Sequence, residues 1–257
     1  MKELTPEQIQ QNWERLRGII SDTFEGERLE KLNEMYDYFE DRMVLAPASG
    51  KEHYHNAMVG GYTEHILHII DFSLQIKEMW EKNGAIIDFT DEELIFAAMH
   101  HDLGKVGDID HDYYIPEDSD WHRKNTGSIF KHNPKLEFMT VTDRALFLLQ
   151  HFGVTLSSNE YIGLRLTDGM YEDANKKYLV TFRPEFSLRS NIARILHQAD
   201  VMSTFIESDE WKRTEIVEER KVEKKVDNIK KAVTLEETSK QLSEKSKDLF
   251  EELFGDN

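Results

Sequence analysis

The chain has 257 residues, 39% hydrophobic and 32% charged, and its 50 acidic and 32 basic residues give a formal net charge of −18. That length buries a full core, while the negative field repels long duplex nucleic acid and leaves a small nucleotide, held through metal ions, as a compatible ligand. With no cysteine, no signal-peptide h-region and no apolar run near the ~18–20 residues of a membrane span, disulfides, thiolate zinc sites and membrane association are all excluded, and a cytoplasmic protein is expected.

Helical periodicity dominates the chain. Residues 5–20 and 26–45 read as amphipathic helices, with Trp13, Leu16 and Ile20 on the first and Leu29, Leu32, Tyr36 and Phe39 on the second. Pro47 to Gly50 interrupts the pattern, and Gly60-Gly61 marks a tight approach before a helix over 63–80. On that helix His65, Ile69, Phe72, Ile76 and Met79 step by fours and threes, which places His65 on the buried face. Asn83-Gly84 ends it. Thr90 and Glu93 then form a capping box for a helix that carries Leu94, Ala97, Ala98 and His101 on one side and stops at Gly104.

Residues 107–134 are polar, acidic and aromatic, and read as a long loop. A helix over 142–152 places His151 near its C-terminal end. Residues 153–186 form a second irregular stretch, with short strands or a hairpin near Tyr178–Phe182. Ser187 caps a helix to about Ile206 whose buried stripe includes Ile192, Leu196 and Asp200. Beyond Ser208 the composition shifts to Glu, Lys and Asp. Val222, Val226, Ile229 and Val233 keep a narrow seam there, and Leu235, Leu242 and Leu249 follow seven apart. That seam suits packing on the body or a homo-oligomeric coiled coil. The expected organisation is N-terminal helices over 1–49, a core over 50–207 and a charged helical extension over 208–257.

The chemistry gathers around His101-Asp102, at the end of a strongly apolar helix. A carboxylate delivered to a core needs a compensating charge, and a metal ion supplies it best. His65 and Asp200 lie on the buried faces of two other helices, so three helices each bring a histidine or aspartate inward. Neutral imidazoles and carboxylates together suit Mn, Mg, Co, Fe, Ni or Zn alike. Lys105 either neutralises charge on a reacting phosphate or salt-bridges a carboxylate. His68 and His100 neighbour the ligand positions, and Asp108, Asp110, His111 and Asp112 form either a metal cluster or a solvated acidic loop.

The order His65 … His101-Asp102 … Asp200 resembles the H…HD…D signature of the HD-domain metal-dependent phosphohydrolases. The run from His53 through His55, Gly60-Gly61 and Glu64-His65 is similar to the HHxxxxGGLLEHT stretch in the HD domain of bacterial 3′–5′ exoribonucleases that also carry an OB-fold. His101-Asp102-Leu103-Gly104-Lys105 resembles HDxGK, and Gly127-Ser128-Ile129-Phe130-Lys131-His132 resembles GxLxGH. Gln150-His151-Phe152-Gly153 resembles HHG, and His197-Gln198-Ala199-Asp200 resembles HxAD. The likeness covers about residues 50–205.

This resemblance implies an all-α HD bundle that hydrolyses a phosphoester of a nucleotide or short oligonucleotide through a metal-activated water. Carried over by position, His65, His101, Asp102 and Asp200 hold one divalent ion, and Asp102 bridges to a second held by His132 and His151. Asp102 and Lys105 are then the catalytic residues. The chain departs from the exoribonucleases in two places: residues 1–45 are helical where an OB-fold would stand, and 164–178 replaces a shorter, proline-containing stretch. Arg165, Tyr171, Lys176 and Lys177 in that segment, with His53 and His55 before the glycine pair, are the candidate substrate contacts. The same ligand types also serve HD-type di-iron oxygenases, and a non-catalytic nucleotide-binding module is the third reading.

Overall fold

The computed structural model describes residues 3–181 and 183–213. The chain divides into two units, 1–211 and 212–257. Of the second, only Lys212 and Arg213 are described, so the seam expected over 222–249 lies outside the described residues.

The first unit is all-α. Its helices are α1 (Pro6–Thr23), α2 (Gly26–Tyr38), α3 (Glu40–Leu45), α4 (Gly61–Lys82), α5 (Asp91–His100), α6 (Asp120–Thr126), α7 (Val141–His151), α8 (Ser158–Leu166) and α9 (Lys176–Leu179). A tenth, α10, runs from 192 to the end of the unit. Local chemistry sets the starts of several. Thr5 with Gln8, Thr90 with Glu93 and Ser157 with Glu160 each close a reciprocal capping box, which satisfies two otherwise orphaned amides. The single core takes Leu16 and Ile20 from α1, Leu32 and Tyr36 from α2, Ile66 and Ile69 from α4, Phe96 from α5, Leu148 from α7, Leu164 from α8 and Leu196 from α10. The N-terminal helices therefore share one hydrophobic interior with the helices that carry the histidines.

Several boundaries differ from the sequence reading. Residues 26–45 are two helices, because the chain leaves helical geometry at Phe39. The stretch 107–134 holds a two-stranded antiparallel ribbon, β1 (Tyr114–Pro116) on β2 (Phe130–His132), with α6 between the strands. Strands this short leave no alternation to read. Residues 153–186 contain α8 and α9, and the expected strands at 178–181 are replaced by the end of α9 and extended chain. Gly163 obscures the period of α8, yet it lets that helix approach α5, where a Cβ would stand 3.0 Å from the Ala97 methyl. Ser187 caps no helix. Ser190 instead accepts from the Ile192 amide at 3.3 Å as α10 begins. Met79, assigned to the buried stripe of α4, is 54% exposed.

Three glycines set the geometry around the site. Gly60 has φ +79°, and a Cβ on Gly61 would meet the Asn56 carbonyl at 2.1 Å, so only a glycine pair lets the chain double back into α4. Gly104 lies in a 3-10 turn over Leu103–Val106, where a Cβ would stand 2.1 Å from the Val141 carbonyl. Its requirement is close approach to α7 rather than a reversal of direction.

Candidate metal centre

His65 projects from α4, His101 and Asp102 from the end of α5, and Asp200 from α10. His65 Nε2 lies 3.5 Å from Asp200 Oδ1 and 3.9 Å from Asp102 Oδ2, and His101 Nε2 lies 3.5 Å from Asp102 Oδ2 and 4.0 Å from Asp200 Oδ1. His65, His101 and Asp102 thus form one group whose ligand atoms lie within 4.8 Å of one another, and Asp200 approaches the two histidines from α10. Both histidine side chains are almost wholly buried, at 1% and 2% exposure.

The opposite edge of each imidazole decides its proton. His65 Nδ1 faces both oxygens of Glu207, at 3.1 and 3.0 Å, and His101 Nδ1 lies 2.8 Å from the Ala98 carbonyl. Carboxylates and carbonyls only accept, so each Nδ1 donates, and it is in its neutral form that each ring turns an Nε2 lone pair toward the cluster. Both Nε2 atoms are buried without a hydrogen-bond partner. With both rings neutral, two lone pairs face the Asp102 and Asp200 carboxylates, an arrangement of like polarity that a cation resolves, as a proton on His65 does in the metal-free protein. The ligand types present, imidazole and carboxylate with no sulfur, fit a divalent ion of the first transition row or magnesium.

The electrostatics follow from this crowding. Burial alone would lower the His65 pKa, but the Glu207 and Asp200 carboxylates outweigh it and raise it to about 10. Burial works to raise Asp102, and the Lys105 ammonium, with His101 and His65, brings it below its ordinary value instead. Asp200 and Glu207 are likewise held low, against burial, chiefly by the neighbouring histidines.

Lys105 donates to Asp102 Oδ2 at 2.6 Å, so the salt-bridge role holds in this structure. One bond leaves the rest of its ammonium available. Glu207 is the main residue that the sequence reading missed. It is fully buried and also accepts from His68 Nδ1 at 2.7 Å and from the Ser203 hydroxyl at 2.8 Å. Asp200, Ser203 and Glu207 share one face of α10 at i, i+3 and i+7; that signal was present, but ending the helix near Ile206 discarded it. Asp168 is the second. The Thr142 hydroxyl donates to it at 3.2 Å, and Asp102 and Asp200 help raise its pKa after burial, which puts it electrostatically beside the cluster. It lies on no periodic face, so spacing offered no clue.

His132 and His151 do not join the cluster. Among the described residues the groups whose ligand atoms lie within 4.8 Å of one another are His65 with His101 and Asp102, and His55 with His65 and Glu207. His132 packs on Tyr113 and Tyr114 at ring distances of 4.6 and 5.6 Å, and His151 packs on Phe147 and Phe152. Among the described residues Asp102 thus shares a close ligand group with His65 and His101, and His132 and His151 fall in none. No family model, curated protein or solved structure matches the chain.

The expected substrate contacts divide. His55 sits with its ring 4.7 Å from His65, its Nε2 unpartnered, and burial lowers its pKa to about 3. His53 packs on Tyr54 at the exposed surface. Arg165 is occupied in holding its own loop, donating to Asn175 Oδ1 at 2.7 Å. Lys176 pairs with Asp173 at 2.6 Å, Lys177 lies over the Tyr178 ring, and Tyr171 is 86% exposed. The acidic loop is structural: Asp108 Oδ1 accepts from the Asp110 and His111 amides, and Asp112 pairs with Arg42 at 2.9 Å. His100 is buried, with Nδ1 donating to the Phe96 carbonyl at 2.7 Å.

Proposed function

We propose that the protein is a divalent-metal-dependent phosphohydrolase of HD type that cleaves a phosphoester of a nucleotide or short oligonucleotide. The observation that carries this reading is the pair of unpartnered, buried Nε2 atoms of His65 and His101 facing Asp102 and Asp200. An ion held by those four residues would supply Lewis acidity toward a phosphoryl oxygen and a hydroxide near neutral pH. His132 and His151 would have to approach Asp102 for a second ion to share it.

The chain's own groups have definite parts in this reading. Glu207 orients His65 and keeps its proton on Nδ1, and the Ala98 carbonyl does the same for His101. Lys105 stands against Asp102 with donors to spare for a phosphate oxygen or a leaving alkoxide. Asp168, whose pKa burial and the Asp102 and Asp200 carboxylates raise, would accept a proton or steer a water in this reading. Among the described residues no helix is long and apolar enough to cross a membrane. Self-association through the 222–249 seam belongs to the same proposal and is checked by molecular mass in solution.

The deciding experiment measures metal content and phosphate release together, for the wild type and Asp102→Ala, against mononucleotides, dinucleotides and short single strands. Loss of both in the variant is expected. Turnover with metal content intact in Asp102→Ala would remove the proposal, and oxygen consumption by an iron-loaded sample would replace it with the oxygenase reading.

A further inference from the structure

Beside the cluster lies a cavity of about 450 Å³, within the range of roughly 300–1,000 Å³ typical of small-molecule sites. Lys105, the residue that contacts Asp102, forms part of its wall, so the cavity and the candidate metal centre share a side chain. Tyr113 and Tyr114 contribute aromatic surface, and His132 packs against both rings. Leu45 and Val59 contribute aliphatic surface. They are 56% and 45% exposed, while their neighbours Met43 and Met58 are buried, so an unpaired apolar lip faces into the opening.

Arg42 also lines the space, but its guanidinium is consumed. It pairs with Asp112 and donates to the carbonyls of Asp108, Ile109 and His111, which ties the 108–112 loop down as a wall. The cavity therefore combines aromatic and aliphatic surface with the Lys105 ammonium, which also holds Asp102, and the exposed Asp41 and Asp112 carboxylates complete its lining. The aromatic and aliphatic surface suits a planar ring, and Lys105 is the group on this lining that faces the candidate metal centre, where an anion would be held.

Resting on the phosphohydrolase reading, we propose that this cavity seats the base of a nucleoside monophosphate whose phosphate reaches Lys105 and the cluster of His65, His101, Asp102 and Asp200. The base packs against Tyr113 or Tyr114 and is covered by Leu45 and Val59, through aromatic and apolar contact that tolerates different bases. The substrate is then a single nucleotide unit rather than a strand. His132 acts here as a support for the tyrosine rings.

The test is a calorimetric titration of the full chain with Mn²⁺, using nucleoside 5′-phosphonates, in which carbon replaces the ester oxygen and prevents turnover, against methylphosphonate as the probe without a base. The wild type is expected to prefer the nucleoside probe at least tenfold. Val59→Asp and Leu45→Glu, both at exposed positions that a thermal melt verifies as folded, are each expected to reduce that ratio tenfold or more. No preference in the wild type, or a preference unchanged in both variants, overturns the proposal. The two readings separate cleanly: absence of phosphate release with a retained tenfold preference defeats the phosphohydrolase and keeps the pocket, and release without preference does the reverse.

Discussion

Glu207 grips His65 from behind. Both carboxylate oxygens lie within 3.1 Å of Nδ1, on the edge opposite the converging aspartates, and neither side chain reaches solvent. Removing an outer partner of this kind from a metal-binding histidine lowers affinity about 10–100-fold. Glu207→Ala is expected to show that loss in a metal titration. It should also lower stability by about 1–3 kcal/mol, because the buried donors on His65 and Ser203 lose their acceptor. Glu207→Gln keeps an acceptor and is expected to recover much of the affinity; equal loss in both variants would count against a positioning role.

Asp200→Ala is expected to abolish metal binding, measured by elemental analysis after dialysis, while leaving the helical far-ultraviolet spectrum intact. Asp200 lies on the same face of α10 as the core residues Ile192 and Leu196, but its side chain is 23% exposed and serves the cluster rather than the core. A variant that retained stoichiometric metal would displace α10 from the centre.

The metal-free protein should be most stable near neutrality, by two opposing linkages. His100 is buried with its pKa lowered to about 3 from 6.5, so the unfolded chain binds its proton first. That contribution is complete above about pH 6.5 and is lost as the pH falls toward 3, at up to about 1.4 kcal/mol per unit. His65, raised to about 10, contributes fully below about pH 6.5, and that contribution is lost as the pH rises through 10. Melting temperature in chelator is expected to fall on both sides. An ion takes the place of the His65 proton, so metal binding should release protons and tighten as the pH rises from 6 to 9. A pH-independent affinity over that range would contradict the arrangement.

Gly104→Ala places a methyl against the Val141 carbonyl, a backbone atom that cannot swing aside. The 3-10 turn must move away from α7, carrying Lys105 and Asp102 with it. A loss of at least about 1–3 kcal/mol in urea unfolding is expected, with phosphate release falling more than the folded fraction explains. Wild-type stability in this variant would show that the turn has slack.

Arg28 spans the α5 and α8 region. It pairs with the fully buried Glu160, contacts Glu92 at 3.3 Å and lies 4.3 Å over the Phe96 ring. Arg28→Ala strands a buried carboxylate and is expected to cost about 3–5 kcal/mol in urea unfolding. Metal stoichiometry of the folded fraction should stay unchanged.

Local chemistry alone determined the all-α character, the starts of α1, α5 and α7, and the inward faces that carry His65 and Asp200. Capping boxes and 3.6-residue stripes are set by neighbours within two turns, so a linear reading reaches them. The approach of His65, His101, Asp102 and Asp200 was anticipated from their inward faces and motif order; the separations of 3.5–4.0 Å between histidines and aspartates were decided by the packing of α4, α5 and α10. Glu207 and Asp168 escaped because their roles depend on what stands opposite them in space. Packing likewise decided that Arg165 and Lys176 are tied within their own segment, and that His132 leans on Tyr113 and Tyr114. The sequence dictates which side chains each helix can offer. The shared core decides which of them meet, because burial brings together residues more than a hundred positions apart.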